Sequence, residues 1–532
     1  MKYIYSLTLA VIFLFCSCDK VLDKTPLDTI SSNVFWLSEN DFKLAANDLY
    51  GDIDLSTTTD VNSIDYYNGS TVSNGTLQPS NTDGNIWANA YTRIRRANDL
   101  IENAATSAVD EPVKNRYVAE ARFFRAFYHA LLVKRYGDVP YVDMTLEFSD
   151  VLLPKDSRET VVNKIISDLN FAADNLPKKS ELNSADEGRI TKGVALGYLS
   201  RVALYEGTWA KFHNSGGDAN NLLTVARDAA LQVINDGEYE VFQAPLEELF
   251  FNENQDNVEV MLSIRYDETQ TGVSPRGRGH LIDALQDPTK YLVDSYLCTD
   301  GLPIDRSTLF QGYTSLESEF KNRDPRMKAA IWEPGTMFDG QPLVPDLTRT
   351  ATGYWPKKPG DPLAQIVTFI YTDVILMRYA EVLLNYAEAV YELENAISDS
   401  DLDISINQLR SRTGVSMPSL TNAFAAANSL DMRGEIRRER RVELAGEGFR
   451  YDDIIRWKTA ENDLPKAVLG ALFQQSAYPE LTPGTDVMIN SDGFIQAEVE
   501  SARSFETPKN YLFPLPLREL QLNPNLQQNP GW

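Results

Sequence analysis

The chain has 532 residues, 43% apolar and 24% charged, which suits a soluble globular protein of roughly one to four domains. Its 50 basic and 76 acidic residues leave a net charge of −26, which repels a phosphate backbone and sets aside both nucleic-acid binding and docking to an anionic membrane through a basic patch. The three histidines (His129, His213 and His280) lie far apart and there are three cysteines, so a histidine-based catalytic centre or a zinc site lacks ligands at the usual spacings; no metal and no cofactor is expected.

At the amino terminus Lys2 precedes an apolar run, "YIYSLTLAVIFLF", that ends at Phe15. The run is too short for a bilayer span, which takes about 20 residues, and has the pattern of a secretory signal peptide. Ser17-Cys18-Asp19 follows, a small residue directly before a cysteine, which resembles a bacterial lipobox, with Phe15 where leucine is usual. Residues 1–17 are therefore expected to be a lipoprotein signal peptide, and Cys18 the acylated first residue of the mature chain. A Cys16–Cys18 disulfide would be strained, and a metal pair would need partners that the chain hardly offers.

Helical periodicity dominates the rest. In "NIWANAYTRIRRANDLIENA", Trp87, Tyr91, Ile94, Ala97, Asn98 and Ile101 form one face. "NRYVAEARFFRAFYHALLVKRYGDVP" carries Ala121, Phe124, Tyr128, Leu131 and Leu132 as core, with Gly137 and Pro140 as the stop. Further helices are expected at about 158–176, 191–206, 222–236, 373–394, 402–412, 432–445 and 449–459, and a strand at 258–266. The alternation of alanine and aromatic residues suits paired antiparallel helices, although no 34-residue repeat can be read cleanly. Residues 56–86, 267–290 and 300–370 interrupt this pattern with Ser, Thr, Asn, Gly, Pro and aromatics, and long insertions of this kind are usually functional or mobile.

Several stretches together are specific. They include "RFFRAFYHALLVKRYGDVP" (122–140), "RITKGVALGYLSRVALYEG" (189–207), "PTKYLVDSYLCTDGLPI" (288–304), "NRDPRM" (322–327), "ILMRYAEVLLNYAEA" (375–389), "INQLRSRTGV" (406–415), "IRRERRVELAGEGFRYDDIIRW" (436–457) and the closing "YLFPLPLRELQLNPNLQQNPGW". In this order they resemble the SusD/RagB outer-membrane nutrient-binding lipoproteins of the Bacteroidota. The resemblance implies a mainly α fold of four tetratricopeptide-like helix pairs, with a loop-rich variable half containing a few short strands. Residues 18–532 would form one SusD-like domain, with an N-terminal helical half at about 39–237 and a C-terminal RagB/SusD half at about 258–532. It further implies a non-enzymatic lipoprotein, held in the outer membrane by its acylated Cys18 and facing the cell exterior. Such a protein captures oligosaccharides, or in some members peptides, for a SusC-like TonB-dependent transporter.

The charged motifs suit architecture better than catalysis. Glu443 or Glu447 with Asp452 could be read as the two carboxylates of a glycosidase. However, Glu439, Arg440, Glu443 and Glu447 sit at helical spacing among arginines, as ion pairs between packed helices do. Trp36, Trp87 and Trp457 are expected in the core. Ligand contacts must then come from the loops, where aromatic rings stack on the C–H faces of sugars and polar side chains bond the hydroxyls. Tyr66 and Tyr67 with Asp65 and Asn68 offer this mixture, as do Arg276 and Arg278, Tyr313, and Tyr354 with Trp355. A hydrolase and a purely structural subunit of the transporter are the competing readings.

Overall fold

The computed structural model describes residues 35–51, 59–79, 84–267, 286–338, 340–358, 360–361 and 371–532. After α1 (Glu39–Leu49) and the short β1 (Tyr66–Tyr67) come five long helices: α2 (Gly84–Thr106), α3 (Glu111–Tyr136), α4 (Arg158–Asn175), α5 (Lys192–His213) and α6 (Ala219–Asp236). Local chemistry sets their ends. Ser157, Thr191 and Asp218 accept the N–H groups of Thr160, Val194 and Asn221, satisfying donors that the first turn leaves free. Gly137 closes α3 with φ at 76°, where an added Cβ would meet Leu512 at 2.9 Å.

Residues 107–110 join α2 to α3 and residues 214–218 join α5 to α6, and connectors this short hold each pair antiparallel. Each helix packs on the next from α2 through α6. The main apolar core fills the seams with Phe42, Ile94, Phe123, Leu132, Val161, Leu199 and Leu383, each at most 2% exposed. Trp87 and Trp457 are buried as expected, and Trp36 is half-buried.

The second half adds β2 (Val260–Ile264), β3 (Asp287–Pro288), α7 (Lys290–Ser295), α8 (Pro325–Ala330), β4 (Met337–Phe338), β5 (Gln341–Pro342), β6 (Val374–Arg378) and α9 (Tyr379–Glu394). It continues with α10 (Asp399–Asp403), α11 (Ile406–Arg410), α12 (Asn422–Ala427), α13 (Met432–Glu443), α14 (Arg450–Arg456), α15 (Ala460–Asp463), β7 (Val468–Leu472), β8 (Phe494–Glu498) and α16 (Leu517–Leu522). The strands form separate antiparallel pairs: β1 with β3, β2 with β6, β4 with β5, and β7 with β8. The stack is extended from far along the chain, since α9 lies against α6 and α5, and α13 against α9.

Three expected spans differ. The helix expected from residue 373 starts at Tyr379, because Val374–Arg378 pair as a strand with β2. An apolar run such as "VILM" has no period that separates strand from helix, and the tertiary partner decides. The helix expected over 402–412 is two short ones, α10 and α11. The helix expected to end near 206 runs on to His213. The architecture is otherwise the mainly helical one expected, with a few short strands.

Candidate ligand-binding face

An ion network underlies the second half. The guanidinium of Arg326 meets Asp324 at 2.7 Å, Glu439 at 2.6 Å and Glu443 at 3.0 Å. Arg378 bridges Glu259, Glu443 and Glu447, Arg412 bridges Glu259 and Glu443, Arg410 holds Glu439, and Lys358 holds Glu447. Arg326, Arg378, Arg410, Arg412 and Lys358 thus face Asp324, Glu259, Glu439, Glu443 and Glu447, five charges against five, so the cluster is neutral. Burial alone would raise the Glu443 carboxyl, but Arg412, Arg378 and Arg326 outweigh it and hold the group far below its usual range. A fully buried, permanently ionised carboxylate with every oxygen taken has no proton to give and faces no substrate. Asp452 lies apart, in an ion pair with Lys134. The two described histidines, His129 and His213, are also engaged. His129 is buried between the Arg125 carbonyl and the Val142 N–H, and His213 stacks on Trp209 with ring centroids 3.8 Å apart.

The segment 60–67 is fastened to the turn between α13 and α14. The Asp60 carboxylate accepts the N–H groups of Gly446 and Arg450, both at 2.8 Å. Gly446 has φ at 77°, and a Cβ there would crowd the Tyr66 hydroxyl and the Lys358 carbonyl. Asp65 takes the Arg441 guanidinium through both oxygens and meets Arg450 at 3.3 Å. This clamp decides where the expected ligand residues lie.

Asp65 and Tyr66 are interior, at 2% and 1% exposure, so neither presents a face to a sugar. The carboxylate is committed to arginines, and the ring packs among Leu292, Tyr296, Phe320 and Tyr354. Tyr354 is likewise buried, donating its hydroxyl to Glu319 at 3.0 Å, and Trp355 packs on Trp332 and Leu343. For these four residues, stacking on or bonding to a ligand gives way to a core role, because apolar packing and ion pairs already fill their surroundings. Arg276, Arg278 and Cys18 lie outside the described residues.

Tyr67, Asn68 and Tyr313 remain at the surface, Asn68 exposed and both tyrosines half-buried. Tyr67 and Tyr291 of α7 both pack against one small core that includes Ile64, Val468 and Tyr511. Tyr313 meets Phe494 of β8 edge-on, with ring centroids 5.2 Å apart. Lys290, the neighbour of Tyr291, joins the two halves. Its ammonium sits 4.4 Å from the Tyr313 ring centre and 4.3 Å from that of Phe494, bonding the Tyr313 hydroxyl at 2.7 Å and Asp294 at 2.9 Å. The Gln474 amide donates to the Tyr313 carbonyl. The four half-buried aromatic rings thus lie on connected elements: Lys290 and Tyr291 are consecutive in α7, and β8 runs from Phe494 to Glu498, whose charge acts on Tyr67. Burial, with the charge of Glu498, holds the Tyr67 phenol above its usual range, and burial, with Asp294, does the same for Tyr313. Both remain neutral hydroxyls able to donate and accept.

Sequence reasoning missed Tyr291, Phe494, Lys290 and Gln474. Tyr291 sits in "KYLVDSY", which reads as core helix, and Phe494 is an isolated aromatic some 180 residues beyond Tyr313, by 494 − 313 = 181. Only the folded chain brings them together. Among the described residues, no group of three or more His, Cys, Asp or Glu is set to hold a metal ion.

The profile described as "SusD family" matches residues 258–532, which is more than half of the chain. The chain belongs to the SusD family. A second profile, "Starch-binding associating with outer membrane", matches residues 29–204. A SusD-like protein of Bacteroides ovatus is 26% identical over 86% of this SusD-family chain and 82% of its own. SusD-like protein P25 of Formosa agariphila is 23% identical over 98% and 96%. Among solved structures, a SusD-like carbohydrate-binding protein from Bacteroides fragilis superposes with a TM-score of 0.78 at 26% identity, covering 93% of this chain and all of its own. Another SusD-like protein of B. fragilis gives 0.73 at 25%, covering 96% of this chain and all of its own.

Proposed function

We propose that this protein is a cell-surface lipoprotein of the outer membrane, anchored through an acylated Cys18, that captures oligosaccharides for a SusC-like TonB-dependent transporter. The observation that carries the reading is the set of half-buried rings, Tyr67, Tyr291, Tyr313 and Phe494, on a SusD-family frame beside Asn68 and Lys290. Partly exposed aromatic rings suit the C–H faces of a pyranose chain, while the polar groups near them suit its hydroxyls. The carbohydrate-binding relative in B. fragilis supports a glycan as the cargo. The outer-membrane description of the second profile and the lipobox-like Ser17-Cys18 support the location.

Calorimetry of the purified protein against maltohexaose, cellohexaose, xylohexaose, laminarihexaose and a pool of peptides tests the reading. One of the oligosaccharides is expected to bind without turnover. Tyr67→Ala and Tyr313→Ala should each weaken that binding by about tenfold or more, as loss of a central aromatic contact does. Binding of the peptide pool alone, or unchanged affinity in both variants, would overturn it. Replacing Cys18 with Ala should abolish fatty-acid labelling and release the protein from the membrane fraction.

A further inference from the structure

An open apolar cleft of about 530 Å³ lies between the first turns of α2, residues 140–153 and α16, with Trp87 and Tyr91 of α2 in its wall. Five of the fourteen large apolar side chains that stand exposed among the described residues line it: Met144, Phe148, Val151, Leu152 and Leu522. Phe148 is 93% exposed. Exposed apolar side chains gathered in one place, unlike scattered ones, mark an interaction site. Polar side chains fix the wall that carries them. Asn98 donates to the Val142 and Met144 carbonyls at 3.1 and 3.0 Å, and Glu102 accepts the Thr145 N–H at 2.7 Å. From the other side, Asn523 and Asn525 donate to the Leu153 and Leu152 carbonyls at 2.8 and 2.7 Å. The cleft is therefore preformed.

Two observations select its occupant. The first is the position of Trp36, next to the first described residue, Phe35. Its carbonyl accepts the Ser107 hydroxyl at 2.7 Å, just past the end of α2, and the cleft wall meets the same helix at Glu102, five positions earlier. The way between them is about 8 Å along the helix, at 1.5 Å per residue, and at most half-way round a cylinder 10–12 Å across. Roughly seven extended residues, at about 3.3 Å each, cover it. Sixteen residues, all outside the described ones, stand between Cys18 and Phe35. Residues 19–27, "DKVLDKTPL", thus remain to fill the cleft with Val21, Leu22 and Leu27. The second observation is the charge of the rim. Glu147 and Asp150, both exposed, flank Phe148, and Glu519 lines the cleft. Lipid hydrocarbon rejects such carboxylates. Lys20 and Lys24, the only cations between Cys18 and Lys43, complement them. A segment joined to the body also acts at an effective concentration in the millimolar range, which favours it over a separate protein.

We propose that residues 19–27 lie in this cleft as an intramolecular strap, so that Cys18 emerges at its rim. The inference goes beyond glycan capture and takes from that reading only the acylation of Cys18. A body strapped in this way meets the membrane by its α2–α16 edge, instead of swinging on a leash roughly 50 Å long.

Cysteine pairing in the full chain, in membranes, tests it, since Cys298 is buried and leaves a low background. Leu27→Cys combined with Leu152→Cys or Leu522→Cys should close an intramolecular disulfide on mild oxidation. Leu27→Cys with Leu44→Cys should not, although exposed Leu44 on α1 lies within reach of an undocked segment. Trypsin should cut after Lys24 slowly in the wild type, and about tenfold faster or more in the double variant Leu152→Asp, Leu522→Asp, as read by mass spectrometry. Both positions are exposed, so the core is left untouched. Equal pairing with Leu44→Cys and with the cleft cysteines would overturn the inference. So would crosslinks from Leu152→Cys to a second copy or to another protein, or equal cleavage rates. Fatty-acid labelling is a separate readout: label retained at Cys18 with the cleft cysteines unpaired sinks the strap and leaves the anchor standing. Label lost while the pair still closes sinks the anchor and leaves the strap.

Discussion

Glu443 shows how one residue can look catalytic and be structural. Its carboxylate is the junction of the neutral network, shared by Arg326, Arg378 and Arg412, all at most 1% exposed. Replacing it with Gln keeps the shape but leaves three buried guanidiniums with one negative charge too few. The expected cost is about 3–5 kcal/mol, the range for breaking a buried pair by removing one partner, read from the urea midpoint of Glu443→Gln against the wild type. The helical spacing of Glu439, Glu443 and the neighbouring arginines made this network legible in outline. Its partners Glu259, Arg326, Arg378 and Arg412 come from elements scattered along the chain, and no local pattern points to them. The residues expected to meet a ligand divide for the same reason. A Tyr-Tyr pair in a polar loop announces an aromatic site, but only the β1–β3 pairing decides that Tyr66 turns inward and Tyr67 outward.

At the scale of elements, the long helices were readable because period, caps and stops agree, as in Pro112 near the start of α3 and Gly137 at its end. The strands were mostly not, because each needs a partner far away in sequence. β7 illustrates this dependence. Ala471 donates to the Thr352 carbonyl at 2.8 Å, and a Cβ at Gly470 would lie 1.9 Å from that same oxygen. Gly470→Ala must therefore push the β7–β8 hairpin away from the 350–354 segment, with an expected loss of about 1–3 kcal/mol, typical of overpacking. Because β8 carries Phe494, the same variant should also weaken the proposed ligand binding. A thermal melt and a binding isotherm on one preparation check both effects.

At the scale of the whole molecule, the ion network and its relatives couple stability to acid. Burial would raise Glu388, but Arg456 above all holds it down to about 2, against an ordinary value of 4.5. The sign follows from linkage: a depressed carboxyl contributes stability that is complete above 4.5 and is lost as pH falls through 4.5 towards 2. Glu443 and Glu439 are shifted in the same direction, with arginines prevailing over burial. Unfolding by acid should thus be steep and confined to pH below about 4.5, with Glu388→Gln flattening part of the slope. Circular dichroism across pH 2–6 measures it. Salt should matter little, since pairs this deeply buried are poorly screened.

The fastening of segment 60–67 has a consequence for engineering. Asp60 and Asp65 plug a loop into sockets formed by Gly446, Arg441 and Arg450, so the loop is gripped at two points while Asn68 and Gly69 are exposed. A segment grafted from a glycan-binding relative, trimmed to keep these two acids six positions apart counting both ends (60 to 65), should seat in the same sockets and bring a new exposed tip with it. The clamp thus serves as a connector with a fixed pin-out, through which the exposed tip can be exchanged without rebuilding the helical body.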